Sequence, residues 1–345
     1  MSAPLTTDLC SALLSGLAQR DGRTRAITAC ERRQCDYQTS APIDELDVRF
    51  DDGEELALIV KQASDPASIN RGRDVKPRFL LDPLREIETY RRLLGDGVTG
   101  PPICYSTSVD RGHGRYWLFL ERVNGAHLWQ FGELAPWQAA ARWLARFHAR
   151  SSVSALPADG PGTALVHDRA FHRVWLERAM RFTAGARAAS VPAALQLAAL
   201  AERYEQVLDG LALLPRTVLH GEFYASNVLI VPARDGAPEP IRVCPLDWEL
   251  TAVGPALCDL AALVAGWEAT AREAIVRAYF EEQLSTGWFA ERRALLAGLD
   301  LCELELAIRM LGWAEDWTPP REHRQDWLAL ALDAATRSKI APARR

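Results

Sequence analysis

Residues 217–230, TVLHGEFYASNVLI, followed at 243–262 by VCPLDWELTAVGPALCDLAA, carry the densest polar chemistry of the chain between apolar runs. Val218 and Leu219 feed a polar loop, His220-Gly221-Glu222, and Asn227 opens a β-branched strand that leaves it. A carboxylate is thus held five residues before an amide. The turn-rich ARDGAPEP at 233–240 separates this strand from a second one, IRVCPLDW, which delivers Asp247 at its end. Glu222, Asn227 and Asp247 can therefore converge at one mouth. Such a set suits phosphoryl transfer, in which a carboxylate orients the attacking hydroxyl while an amide oxygen and a second carboxylate hold magnesium against nucleotide phosphates.

HGEFYASN at 220–227 resembles the catalytic loop of aminoglycoside-phosphotransferase and choline-kinase-like enzymes, His-Gly-Asp-x-x-x-x-Asn, and LDWE with GPALCDLA resembles their metal-binding segment and the Gly-Pro-x-x-x-Asp-Leu after it. The resemblance implies an α+β, protein-kinase-like fold of two lobes. A small antiparallel-sheet lobe, residues 1–122, would bind nucleotide, and a mainly helical lobe, residues 123–345, would hold the catalytic loop and the acceptor site. It implies ATP or GTP with magnesium as cofactors, Asn227 and Asp247 as metal ligands, and a small-molecule hydroxyl as acceptor. The family's catalytic aspartate is Glu222 here. Glutamate keeps the charge but adds a methylene, and at active sites a shift of about 1 Å costs on the order of a hundredfold in rate. A catalytically impaired nucleotide-binding scaffold is therefore the alternative to an active ATP-dependent small-molecule kinase.

A chain of 345 residues has room for two lobes and a sizeable core. Its apolar and charged fractions, 48% and 25%, are those of an ordinary globular protein, and a net charge of -5 gives no electrostatic case for nucleic acid or an anionic membrane. The seven cysteines are scattered with no C-x-x-C pair, which argues against a disulfide framework and a zinc site and for a reducing, cytoplasmic setting. The N-terminal apolar stretch lacks a basic segment before it and is interrupted by Asp8, which argues against a signal peptide. No feature sets an oligomeric state.

Between residues 26 and 61, RAITACERRQ, IDELDVRF and ELALIVKQ read as an antiparallel meander with a hairpin turn at Asp52-Gly53. The two-residue strand period puts Ala57, Ile59 and Lys61 on one face and Leu56, Leu58 and Val60 on the other. Taken alone, Lys61 is a lysine at a strand end in water. With the downstream motif, the resemblance makes it the lysine that binds nucleotide phosphates, with Ile59 roofing the adenine. The expected phosphate-covering loop, residues 35–40, contains no glycine. Residues 62–81, with Arg71, Arg73, Lys76 and Arg78, read as a solvated basic loop or short helix. DPLREIETYRRLLGDG predicts a helix with Asp82 as N-cap, Pro83 at its first position and Gly95 as stop. On it Glu88 precedes Arg91 and Arg92 by three and four residues, the spacing of a solvated charged face, so Glu86 is the partner assigned to Lys61.

RYWLFLERVNG reads as a strand running into a glycine-marked connection, the expected hinge, whose backbone from Glu121 to Val123 would meet the adenine. Apolar residues at 137, 140, 141, 144 and 147 predict an amphipathic helix. Helices are expected at about 168–185 and 190–211, and from Ala262 to the end. His148 reads as packed, His167 and His172 as surface residues, His220 as orienting the loop and Asp259 as bracing it. Glu249 is a candidate for assisting metal or substrate. The tryptophans at 267, 288, 313, 317 and 327 read as core, with an acceptor pocket lined by some of them and by Glu315 and Asp316 as the other reading.

Overall fold

The period-2 alternation of ELALIVK decides the first layer. In the computed structural model, which describes residues 7–35, 42–64, 76–95, 98–152, 162–185, 191–232, 240–317 and 325–340, strands β1 (Ile27–Gln34), β2 (Ile43–Phe50), β3 (Glu55–Ser64), β4 (Cys104–Asp110) and β5 (Arg115–Glu121) form an antiparallel sheet in the order β1-β2-β3-β5-β4. The turn between β2 and β3 is at Asp52-Gly53, where Gly53 takes a positive φ of 84° that a residue with a side chain rarely adopts. Leu58 and Val60 are fully buried, packed with Leu46, Val48 and Phe119 against Leu9, Leu13 and Leu17 of helix α1 (Thr7–Asp21). Covering that face with α1 leaves the Ala57, Ile59 and Lys61 face for the cleft. Residues 36–40 of the expected phosphate-covering loop, and Arg71 and Arg73, lie outside the described residues.

Helix α2 (Arg85–Arg92) starts later than the sequence predicts. Asp82 accepts from the Leu84 amide and Arg85 donates its amide to the Asp82 carbonyl, so Asp82 and Pro83 form a turn that precedes the helix. The helix ends at Arg92, before the glycine expected to stop it.

Beyond β5 the chain becomes mainly helical. All five apolar positions predicted for helix α3 (Leu134–Arg150) are buried. Helix α4 (Arg169–Ala184) is capped by the Asp168 carboxylate on the Phe171 amide. The single helix expected over 190–211 is two, α5 (Val191–Ala201) and α6 (Tyr204–Ala212), divided at Glu202-Arg203. Helices α7 (Leu257–Val264), α8 (Ala269–Gln283), α9 (Arg292–Trp313) and α10 (Trp327–Arg337) complete this part, and α9 packs on α4, α6, α7 and α10.

Two small sheets sit where the sheet-rich and helical parts meet. One has the order β10-β9-β6, from β6 (Ala126–His127), β9 (Val228–Pro232) and β10 (Ile241–Pro245). The other has the order β7-β11-β8, from β7 (Leu165–Val166), β8 (Arg216–Leu219) and β11 (Ala252–Pro255). Together they fix the entry to and exit from both loops quoted at the outset. None of the described helices is long and apolar enough to cross a membrane, and all seven cysteines are free.

Candidate active site

The loop between β8 and β9 is held through its backbone amides by a carboxylate from α7. Asp259 of α7 accepts from the amides of His220 (2.7 Å) and Gly221 (3.0 Å) and faces His148 Nε2 at 3.3 Å. His220 Nδ1 accepts from the Glu222 amide, so its Nε2 carries the proton and donates to the Leu246 carbonyl at 2.8 Å. Burial holds the His220 imidazole below its ordinary pKa and hence neutral. Both histidines and Asp259 thus brace the loop. Gly221 has φ +90°, and a Cβ built there would lie 2.1 Å from the Leu250 carbonyl oxygen, a backbone atom that cannot step aside. Gly221→Ala is therefore expected to destabilise the fold by on the order of 3 kcal/mol, read as a lower denaturant midpoint at unchanged slope. A neutral effect would mean the loop adopts another path.

The second loop, between β10 and β11, brings Asp247 to the same place with φ 63° and ψ 68°, the left-handed region. A non-glycine residue held there costs on the order of 1–3 kcal/mol and is characteristic of functional sites. Lys61 Nζ lies 2.5 Å from Asp247 Oδ1 and 2.6 Å from Glu86 Oε2, and the other oxygen of Glu86 accepts from the Trp248 amide at 3.1 Å. Glu88 instead pairs with Arg91 and Arg92. Burial, the largest influence on Lys61, pushes its pKa down, yet the carboxylates of Asp247 and Glu86 outweigh it and hold the ammonium well above its ordinary value. Burial likewise opposes ionisation of Asp247, but Lys61 and Lys76 prevail and lower its pKa. At Glu86 burial wins and the carboxyl is pushed up.

Glu222 lies beside this group, half-buried, and burial raises its carboxyl to about 7 against the opposing charge of Lys76. Five residues on, the Asn227 amide nitrogen donates to the Glu222 carbonyl at 3.0 Å, which turns the amide oxygen the other way. The Asn227 carbonyl accepts from the Leu246 amide, the neighbour of Asp247, at 2.8 Å. An amide oxygen and one carboxylate are few ligands, yet they suit magnesium, which keeps several waters and completes its shell with substrate phosphates. Among the described residues no cluster of three or more histidine, cysteine or acidic side chains offers a closed metal cage.

Ile59 is half-buried on the cleft face of β3, opposite Leu120 of β5. Glu121 ends β5, and its side chain takes both hydrogen bonds, at 2.8 Å each, from Arg242 of β10. Its amide donates to the Ile103 carbonyl at 2.8 Å. Glu121 therefore ties the end of β5 to the neighbouring small sheet.

Several site residues escape the reading of the sequence. Lys76, assigned there to a solvated basic loop, is mostly buried and pairs with Glu249. That pairing gives Glu249 a charge to hold, and its carbonyl accepts from Arg85 at 2.9 Å. His167 and His172, expected on the surface, are each 2% exposed, because the start of α4 packs against α9. His172 Nδ1 is 3.2 Å from Glu305 Oε1, and Arg309 Nε is 3.7 Å from the same oxygen. Despite burial, Arg309 and His172 hold Glu305 down to about 2. Glu305 and Arg309 stand four apart in an otherwise apolar run, ELAIRMLGW, and that spacing is the signal by which a buried pair is found. Of the tryptophans expected as core, Trp267, Trp288 and Trp327 are half-buried and pack against the main core, Trp313 packs against a smaller cluster and Trp317 is half-buried, while Trp175 and Trp248 fill the interior. Glu315 and Asp316 are bound by Arg181 and Arg178, at 2.8 and 2.5 Å.

Comparison with known proteins follows the same lines. The APH model, described as a phosphotransferase enzyme family, matches residues 48–297. The search of curated proteins returns no match. Among solved structures, a microcompartment-associated aminopropanol kinase superposes with a TM-score of 0.57 at 15% identity, covering 95% of this chain and 98% of that one. The GDP complex of wild-type aminoglycoside 2'-phosphotransferase-IIIa gives a TM-score of 0.50 at 13% identity, covering 94% and 96%. At such identities these two likenesses show the fold, a sheet-built lobe on a helical one. With the family model spanning residues 48–297, from β2 through the loops of Glu222 and Asp247, the chain belongs to the phosphotransferase enzyme family.

Proposed function

We propose that this phosphotransferase is a small-molecule kinase that moves the γ-phosphoryl group of ATP, taken as its magnesium complex, to a hydroxyl. The observation that carries the reading is the ion-paired set Lys61, Glu86 and Asp247, assembled from strand, helix and loop beside Glu222 and Asn227. The nucleotide lies in the cleft between a lobe of residues 1–122 and one of residues 123–345, with the base under Ile59 and against the Glu121 to Val123 backbone. Lys61 binds its phosphates. Asn227 and Asp247 hold magnesium, which, when bound, neutralises charge on the transferring phosphoryl group. Glu222 accepts the hydroxyl proton as the acceptor oxygen bonds to the γ-phosphorus and the bond to the β-phosphate oxygen breaks, releasing ADP. The impaired-scaffold alternative finds no support, since a decayed site has no reason to keep Lys61, Asn227 and Asp247 assembled around Glu222.

The test is a screen of hydroxylated metabolites and antibiotics for ATP consumption, with calorimetry of Mg-ATP and Mg-GTP binding beside it. Absence of binding by either nucleotide removes the proposal. A pH profile gives a second check. A base works only when ionised, and burial raises Glu222 to about 7, so kcat/KM is expected to fall about tenfold per unit of pH below 7 and to level off above it. Lys76 favours the ionised form, so Lys76→Met is expected to move that limb to higher pH. A rate that is flat from pH 5.5 to 8 would speak against Glu222 as the base.

A further inference from the structure

We propose that the pocket under the catalytic loop takes the phosphate acceptor and that Arg309 selects one bearing a carboxylate or comparable oxyanion, a proposal that rests on the reading of Glu222 as base. The enclosed inner end has room for about one water-sized group, such as a single oxyanion head, and opens into a mouth that brings the space to about 280 Å³, solvent included. Glu222 stands at one side, Phe171 and Trp313 are among its apolar walls, and Arg309, Trp175 and His167 supply the polar lining.

These last three residues are at least nine-tenths buried, and each has a ring or guanidinium nitrogen with no hydrogen-bond partner among the described residues: Trp175 Nε1, His167 Nδ1 and Arg309 Nε, which faces Glu305 Oε1 as an ion pair at 3.7 Å without hydrogen-bonding it. The tryptophan and arginine nitrogens are donors only, and the histidine nitrogen donates in one tautomer. Among the described residues Arg309 makes a single hydrogen bond, a long one of 3.4 Å to the Gly221 carbonyl. Buried donors of this kind require acceptor atoms opposite them. A ligand rich in acceptor oxygens supplies these, and an ammonium does not. Among the described lining residues Glu222 is the one carboxylate that an ammonium could meet. Glu315 and Asp316, the residues from which a cationic acceptor would draw attraction, are already taken by arginines. Arg309 also touches the residue before Glu222, so an oxyanion on its guanidinium keeps the rest of a short acceptor within reach of the base. The stacked pair Trp175 and Trp313, with centroids 5.4 Å apart, suits a flat or apolar body.

The experiment compares steady-state ADP release with glycerate, mandelate and 3-phenyllactate against their amides, 3-amino-1-propanol and kanamycin, all with saturating Mg-ATP. The hydroxy acids are expected to exceed their amides in kcat/KM by about tenfold or more. Arg309→Met is expected to bring that ratio to about one while KM for ATP stays within about twofold, and Arg309→Lys to restore part of it. If Arg309→Met fails to fold, Trp175→Phe, which removes one donor at nearly constant shape, is expected to lower hydroxy-acid kcat/KM about threefold to tenfold and decides the matter. Turnover of amines or amides with the hydroxy acids inert overturns the acceptor class and leaves the kinase reading standing, as does a ratio unmoved by Arg309→Met or, where that variant fails to fold, hydroxy-acid kcat/KM unmoved by Trp175→Phe. Hydroxy-acid turnover that survives Glu222→Gln with its Arg309 dependence intact overturns the base assignment alone. No turnover of any probe overturns the acceptor class, and loss of Mg-ATP binding in the wild type overturns the reading beneath it.

Discussion

Asp247→Ala is expected to lower kcat by on the order of 10³-fold or more while the protein still folds. The carboxylate has two duties in the proposed site. It gives magnesium its one charged protein ligand, and an ion that neutralises charge in a phosphoryl-transfer transition state is worth several kcal/mol, with each 1.36 kcal/mol a factor of ten. It also meets Lys61 at 2.5 Å. Removing it leaves Lys61 with Glu86 at 2.6 Å as partner, so the buried ammonium stays paired and the structural penalty is modest. The left-handed backbone at residue 247 is then occupied by a residue with no functional return for it. Asp247→Asn preserves shape and one neutral oxygen, and should fall between, with turnover that requires far more magnesium. The decisive measurement is the magnesium dependence of the rate beside a melting curve. Near-normal turnover in Asp247→Ala at ordinary magnesium would mean that the ion, if used, is held elsewhere.

Glu222→Gln removes the negative charge at constant shape, and a drop of about 10²–10⁴-fold in kcat is expected, the usual contribution of a positioned general base. Nucleotide affinity should change little, because Lys61, Glu86 and Asp247 are untouched. Stability should be kept or slightly raised at neutral pH. The carboxyl is already pushed up to about 7 by burial, so the fold favours its neutral form, and the amide imitates that form. Glu222→Asp retracts the carboxylate by one methylene. With His220, Gly221 and Asp259 fixing the backbone at 2.7 and 3.0 Å, the loop cannot follow the shortened side chain, so Glu222→Asp should keep part of the activity and lose up to about a hundredfold. Equal rates for wild type and Glu222→Gln on a confirmed acceptor would remove Glu222 from the chemistry.

What the sequence disclosed and what it hid divide along the range of the interactions. The face assignment in β3, the stripe of α3 and the turn at Asp52-Gly53 depend on neighbours within a few residues, and the periodicities of strand and helix carry them. The spacing argument on α2 also separated Glu86 from Glu88, since three- and four-residue spacings are local. The boundaries were less legible: Asp82 looks like a helix cap and caps a turn instead, because both uses want the same side-chain oxygen on a nearby amide. Which residues tertiary packing brings together was not legible, even where a spacing such as that of Glu305 and Arg309 marks a buried pair. His167, Trp175 and Arg309 come together only because α4 lies on α9, and no local pattern says that those two helices meet. Lys76 looked like one more cation in a basic stretch, and only its contact with Glu249 sets it apart.

Lys61 holds Asp247 and Glu86 at once, at 2.5 and 2.6 Å, so its ammonium is already paired before any nucleotide arrives. A lone divalent cation would have to win Asp247 away from Lys61. A lone triphosphate would have to enter beside the two carboxylates with its own charge uncompensated. Delivered as a pair, cation and phosphates would let the partners trade places in the proposed site, with Asp247 holding the metal and Lys61 the phosphates, so that the buried charges would stay paired. On the proposed roles the cleft would be a coincidence detector, whose two inputs reinforce each other's affinity by the same factor in either order of addition.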